Sequence, residues 1–431
     1  MYRKITDFLE IWKESPHRKP LILQGARQVG KTYSILEFGR THYENVAYFN
    51  FETNPKLNKT FEENISPDYL VPILSHIAGQ TIVKEKTLIV FDEIQLCERA
   101  LTSLKYFCED APDYHIIAAG SLLGVAVNRA KFSFPVGKVD MKTLYPMDME
   151  EFLLAIGENV LVTQIKNCFK TNTPMPPALH DKALYLYRQY LVVGGMPECV
   201  SQFIQTKDYI LIRHTQDTIL ASYLNDMSKY NTLNEIKKTR LAYDNITVQL
   251  SKKNTRFQYK LIKKGGRASE FENAIEWLCL SGIVSQVYKV EQIKKPLENY
   301  RDIDAFKIYV SDLGLLCAKK DLAANDILYM VEELNDFKGG MVENYVNVQL
   351  SINGYNTYYW ESARGAEIDF VIQRDGKLIP IEVKAADNTK AKSLRVYMNT
   401  YNPAYAIKLS AKNFALEDNQ KIVPLYAAFC I

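Results

Sequence analysis

The chain lacks the marks of most specialised protein classes. Its seven cysteines (97, 108, 168, 199, 279, 317 and 430) are odd in number, scattered and never spaced C-x-x-C, which argues against a disulfide framework and a cysteine zinc site. No run of roughly 18 apolar residues occurs. The opening MYRKITDFLEIWKESPHRKP alternates charge with apolar residues where a leader needs an unbroken apolar stretch, so a cytoplasmic protein with no membrane association is expected. A strong charge of one sign is also missing: 53 basic against 50 acidic residues leave +3, so contact with a nucleic acid would need a local basic patch. Repeats and low-complexity tracts are absent too. What remains is ordinary globular composition, with material for about two to four domains.

The segment PLILQGARQVGKTYSILEF runs from an apolar strand through Gly25, Ala26, Arg27, Gln28, Val29, Gly30, Lys31 and Thr32 into a helix-compatible stretch. This is G-x-x-x-x-G-K-[ST] in the strand-to-helix context that its chemistry needs. Glycines let backbone N–H groups turn inward around phosphate oxygens, and the helix N-terminus adds positive potential. Lys31 is placed to reach the β- and γ-phosphates of ATP, and Thr32 to hold Mg²⁺. Further on, TLIVFDEIQ ends a buried apolar strand in Asp92 and Glu93. Asp92 is expected to hold the Mg²⁺ through water and Glu93 to act as the base that polarises the attacking water. A third strand, YHIIAAGSLLG, ends at Ser121, which either senses the γ-phosphate or caps the turn into the next helix.

Together GARQVGKT, LIVFDEIQ, AAGSLLG and SFPVGKVDMKTLYPMDMEEF resemble the AAA-type ATPases of bacteria and archaea. The resemblance implies a sensor role for Ser121 and points to Arg129 as the arginine finger. LVVGGMPECV resembles the Gly-x-Pro segment in the helical lid of signal-transduction ATPases, which would place Pro197 against the nucleotide. The alternative for Gly194-Gly195-Met196-Pro197 is a plain interhelix turn.

From about 150 to 235 apolar residues recur at helical spacing, as in DKALYLYRQYLVVGG, suiting an ATPase lid. EIKKTRLAYDNITVQL, a short helix, SEFENAIEWLCLSGIV and the strands VSQVYKV and FKIYVSD then follow the helix-helix-helix-hairpin order of a winged helix. KKNTRFQYKLIKKGGR carries seven basic residues and no acidic one, with Phe257 and Tyr259 interleaved, and can neutralise phosphates and stack on bases. A solvated face is the alternative, favoured by Glu270, Glu272 and Glu276 on the helix that would enter a groove.

In EIDFVIQRDGKLIPIEVK the Asp375-Gly376 turn sets a hairpin register in which Arg374 faces Lys377, Asp369 faces Glu382 and Glu367 faces Lys384. Those four outer residues share one face, while Ile368, Phe370, Ile372, Ile379, Ile381 and Val383 fill the other. Two opposed carboxylates repel unless one is protonated or a cation lies between them. A Mg²⁺ or Mn²⁺ ion on Asp369, Glu382 and the Val383 carbonyl resolves this, with Lys384 beside it to orient or deprotonate water or offset phosphate charge. A cross-strand Glu367–Lys384 ion pair with two solvated acids is the structural alternative. The bare [DE]-x-K pattern recurs at Asp140, Glu235, Asp336 and Asp375, so only the hairpin context distinguishes Glu382. With Glu343 on the preceding helix GGMVENYVNVQL, the set resembles the PD-(D/E)xK nuclease superfamily, which implies Glu343 as a further acidic metal ligand. Ile368 stands where that pattern has proline.

The whole chain resembles a family of prokaryotic AAA-type ATPases with a restriction-endonuclease-like C-terminal domain. The expected α/β architecture is a P-loop ATPase core with a parallel sheet (1–150), a helical lid (151–235), a winged helix (236–322) and a nuclease-like α/β domain (323–431). The expected function is Mg²⁺-dependent ATP hydrolysis coupled to a metal-dependent nuclease acting on DNA. The alternative is a nucleotide-switched regulatory protein whose terminal fold only holds DNA or a protein partner. Assembly into a homo-oligomer is compatible with either.

Overall fold

Four apolar runs and one more polar one become the parallel strands that carry the phosphate loop. In the computed structural model, which describes residues 1–121, 134–229, 233–252, 256–385 and 392–431, these are β1 (Leu21–Gln24), β2 (Asn45–Asn50), β3 (Thr87–Asp92), β4 (His115–Gly120) and β5 (Asp140–Thr143). They lie in the order β2-β3-β4-β1-β5, every pair parallel. β3 and β4 are buried at every residue, the pattern of strands covered on both faces. Phe49, Phe51, Phe61 and Phe91 pack tilted or edge to face on one side, within a core that also takes Leu104 and Phe107 of the Glu98–Asp110 helix. Register decides what meets at the carboxyl edge. Gln24 is level with Gly120, so the phosphate loop and Ser121 leave the sheet side by side, and β4 lies between the loop strand and the strand of Asp92.

This sheet belongs to a compact unit of Tyr2–Tyr145 with Leu280–Gly282, and a second unit comprises Pro146–Cys279 and Ile283–Ile431. The second unit holds an eight-stranded mixed sheet of β6 (Val284–Val290), β7 (Arg301–Val310), β8 (Tyr358–Glu361), β9 (Glu367–Arg374), β10 (Lys377–Val383), β11 (Ala406–Ser410), β12 (Ala415–Glu417) and β13 (Gln420–Pro424). Their order is β12-β13-β11-β10-β9-β8-β6-β7. Asp375 and Gly376 both take positive φ (48° and 69°), as a type I′ turn requires, and the ladder runs from Arg374↔Lys377 to Phe370↔Ile381. The six apolar residues assigned to one face of this hairpin are all buried.

The helices and hairpin between 236 and 310 occur in the expected order, but the hairpin does not stand apart as a wing. β6 pairs parallel with β8, so strands from either side of the 322/323 boundary share one sheet. The helix Pro177–Val193, expected in a separate lid, lies in the same unit, with Tyr187 and Tyr190 edge-on to Tyr345 of the helix Asn335–Ile352. Pro146–Cys279 and Ile283–Ile431 thus cluster as one compact unit, with strand pairing across the 322/323 boundary. Ala305–Val310 is buried throughout, and an apolar strand of that kind reads the same from sequence whether it ends in a wing or in a larger sheet.

The outer edge of β7 is covered by a segment that precedes β6: Phe257 N–H donates to Phe306 O at 2.7 Å, Arg256 bridges to Lys307, and the Phe257 and Phe306 rings stack at 5.3 Å. Phe257, expected to be free for stacking on bases, is instead a buried part of the sheet margin. Among the described residues, no helix is long and apolar enough to cross a membrane.

Candidate functional site

The loop Gly25 to Thr32 is shaped by three left-handed or glycine-only positions: Gly25 at φ 145°, Gln28 at 64° and Gly30 at 90°. A Cβ at Gly25 would stand 2.1 Å from Leu144 O, so the loop can turn there only without a side chain. Lys31 opens the helix Lys31–His42, is buried, and donates to the carbonyls of Gly25 and Ala26 at 2.9 and 2.7 Å. Burial lowers its ammonium to about 8, with Glu93 and Asp92 working in the opposite direction.

Thr32 Oγ1 donates to Asp92 Oδ2 at 2.9 Å, and the Tyr48 hydroxyl donates to the same oxygen at 2.7 Å. Hydroxyl and carboxylate oxygens touching beside a phosphate loop are the hard donor set that suits Mg²⁺. Glu93 is held at φ 52°, a conformation non-glycine residues seldom adopt and one often found at functional sites. Its Oε2 accepts from Gln95 Nε2 and lies 3.5 Å from Ser121 Oγ. Burial raises the Glu93 carboxyl above its ordinary range, the direction that improves a general base, while the Gln95 hydrogen bond opposes it. The structure thus brings Lys31, Thr32, Asp92, Glu93 and Ser121 together. Arg129 lies outside the described residues.

Two residues here went unflagged in the sequence. Tyr48 helps fix Asp92. Arg3, buried, donates to Val29 O at 2.9 Å and Tyr145 O at 2.7 Å, clamping the phosphate loop from behind. A lone arginine near the start of a chain carries no pattern that could have shown this.

In the second unit, Gly194-Gly195-Met196-Pro197 joins two helices, and Pro197 begins the second. Asp312, fully buried, accepts from Gly195 N at 2.6 Å and from Leu315 N at 2.8 Å. A Cβ at Gly195 would meet Met147 O at 2.0 Å. Burial pushes the Asp312 carboxyl up to about 6, against the N–H groups of Leu315, Gly195, Gly314 and Met196. This geometry is that of an interhelix turn pinned by a carboxylate.

The hairpin carboxylates form a second cluster. Asp369 Oδ2 accepts from Val383 N at 2.7 Å, just past the end of the ladder. Burial, then Glu343 and Glu382, raise Asp369 well above the carboxylate range. Burial also raises Glu382, against Lys384, which pairs with its Oε1. The other oxygen, Glu382 Oε2, is buried with no hydrogen-bond partner among the described residues. Burial works to lower Lys384, but Glu382 and Asp369 outweigh it and hold the ammonium above its ordinary range, so Lys384 suits charge compensation better than proton abstraction.

Glu367 pairs with Lys307 at 2.5 Å, in place of the cross-strand partner Lys384. Glu343 Oε2 takes Lys307 Nζ at 3.3 Å and the Tyr309 hydroxyl at 3.0 Å. Glu343, Asp369 and Glu382 are therefore neighbours, but among the described residues no three acidic, histidine or cysteine side chains are grouped so that they could hold one ion. Lys307 and Tyr309 were missed; the only trace was a lysine inside the apolar run FKIYV.

The basic segment is less available than its composition suggests. Lys263 pairs with Glu270 at 3.1 Å, and the exposed side of the helix Ala268–Leu280 carries Glu272 and Glu276. Lys253 lies outside the described residues.

Residues 17–153 match a family described as an AAA domain. With the five-stranded parallel sheet, the phosphate loop and Asp92-Glu93 at its carboxyl edge, this part of the chain is an AAA-type ATPase domain. Residues 184–326 and 338–428 match two families, each described as a domain of unknown function (DUF8612 and DUF4143), so family and sheet divide the chain at different places. Among solved structures, a Walker-type ATPase of Pyrococcus abyssi is similar over 73% of this chain and 94% of its own, with 13% identity and a TM-score of 0.45. The Orc2 protein of Aeropyrum pernix, solved as ADPNP–ADP complexes, is 11% identical over 79% of this chain and 94% of its own, with a TM-score of 0.35. Cdc6p of Pyrobaculum aerophilum is 13% identical over 76% and 92%, with a TM-score of 0.24. Scores this low leave the ATPase assignment resting on the 17–153 match and the site geometry. No curated protein sequence matches the chain.

Proposed function

We propose that this chain is a Mg²⁺-dependent ATPase whose second unit cleaves phosphodiester bonds in DNA at a divalent-ion site formed by Asp369 and Glu382. The nucleotide half rests on the contact of Thr32 with Asp92 beside buried Lys31. Gly25 to Gly30 would cradle the phosphates with backbone N–H groups, and Lys31 would exchange its two loop carbonyls for phosphate oxygens. Thr32 and Asp92 would hold Mg²⁺, which neutralises phosphate charge when bound. Glu93 takes the proton of the attacking water, and Ser121, next to it, orients that water or the γ-phosphate. Glu93→Gln should keep ATP binding and lower turnover by about a hundredfold or more. Turnover at the parent rate would refute the assignment of the base.

The nuclease half is carried by Glu382 Oε2, buried, without a partner among the described residues and on a carboxylate that shares its surroundings with Asp369. An oxygen in that state fits a cation, and Mg²⁺ or Mn²⁺ would supply Lewis-acid activation there. Lys384 would balance charge on the phosphodiester. Plasmid, linear and single-stranded DNA incubated with Mg²⁺ or Mn²⁺, with and without ATP, should be cleaved by the parent and spared by Asp369→Ala. The occupation of Glu343 by Lys307 and Tyr309 favours a second reading, a nucleotide-switched binding protein with a silent terminal fold. Absence of cleavage beyond the Asp369→Ala control in every combination would select it.

A further inference from the structure

Lys307 is only 1% exposed, yet it lies on β7, far in sequence from the hairpin whose acids it meets. Its Nζ is 3.3 Å from Glu343 Oε2 and 2.5 Å from Glu367 Oε1, and it stands 5.1 Å from the Tyr359 ring centre. Tyr309, on the same face two residues along, donates to the same Glu343 oxygen. An ammonium anchored through a buried strand cannot diffuse away, and in a poorly screened interior it repels any second cation nearby. Among the described residues neither Asp369 nor Glu382 pairs with Lys307, and Lys384 takes Glu382 Oε1. Of these acids, Glu382 has the buried oxygen that no described residue satisfies.

We propose that Lys307 is a built-in cation that stands in for a second metal ion. It ties up Glu343 and Glu367 and leaves Asp369 and Glu382 to take one divalent ion. Glu343 is then the positioning partner of Lys307 and not an ion ligand. This rests on the ion-binding reading of Asp369 and Glu382 given above.

The test is Mn²⁺ binding to the full chain without DNA or nucleotide, followed by electron paramagnetic resonance of free Mn²⁺ and by calorimetry. An Asp92→Asn background removes the carboxylate of the nucleotide site. One Mn²⁺ should bind, and Asp369→Ala should abolish it. Glu343→Gln should keep one Mn²⁺ with affinity within about threefold, whereas loss of one charged ligand from so small a set would cost about tenfold or more. Lys307→Met should admit a second Mn²⁺. Two Mn²⁺ on the parent, a tenfold loss in Glu343→Gln, or a folded Lys307→Met that still takes one would overturn the proposal. If Lys307→Met fails to fold, Glu343→Gln decides. No Mn²⁺ on the parent would refute the ion-binding reading and this proposal with it; the other failures leave that reading standing.

Discussion

Lys31 carries its charge close to the pH at which it would lose it. Only the protonated amine can donate to phosphate, so as pH rises through about 8 the nucleotide-free protein must take up a proton to bind. ATP affinity should therefore fall about tenfold between pH 7 and pH 9, measured by calorimetry with excess Mg²⁺. Lys31→Arg, charged throughout, should bind more weakly but with a flat profile. Arg3→Ala should cost about 2 to 3 kcal/mol of stability in denaturant unfolding, because two loop-holding bonds from a buried guanidinium are lost together. An unchanged midpoint would show that the clamp is idle. At this scale the phosphate-loop residues were legible because their roles follow from spacing along eight consecutive positions. Arg3, Tyr48 and Lys307 were not, because each acquires its role through a contact with a distant stretch of chain.

Among the elements, the hairpin was readable in register from its turn to Phe370↔Ile381, since a two-residue Asp-Gly turn and a period of two leave one pairing that buries the apolar face, but not in the outer pairs, where Glu367 meets Lys307. Its surroundings were not. Sequence periodicity records which side of a strand is apolar and says nothing about which strand lies alongside, so the capture of β6 and β7 by the larger sheet left no local sign. The turn at Gly194–Pro197 depends on Asp312 in the same manner. Asp312→Ala should destabilise by about 3 kcal/mol or more, because buried N–H groups lose their acceptor. The pH dependence has a definite sign. The folded value, about 6, is raised above the unfolded one, so the stability this carboxyl contributes is full below the unfolded value and is lost as pH rises through 6. Unfolding midpoints should rise on acidification from pH 7 toward pH 5 through this group, and Asp312→Asn should lack that increment.

At the scale of the whole molecule, the nucleotide residues and the hairpin carboxylates belong to different compact units. The ATPase unit was legible because its motifs fall in order along a simple parallel sheet, whereas the second unit joins strands from either side of the 322/323 boundary in one mixed sheet. ATP with Mg²⁺ at a hundred times its dissociation constant should stabilise the parent by about 2.7 kcal/mol and leave Lys31→Ala unmoved, as calorimetry would record.

The short pairing of Arg256 and Phe257 with β7 has a further consequence, for solubility. At the opposite margin the sheet closes with β12, only three residues long and bearing Glu417. The Ala305–Val310 half of β7 is buried, and without that cover it would present an apolar edge able to recruit strands from other molecules. In the full chain, Phe257→Pro, which removes the N–H donated to Phe306, should form sheet-rich assemblies in light scattering, and the parent should not. The segment that composition marks out as a nucleic-acid grip would then also guard the sheet edge against aggregation.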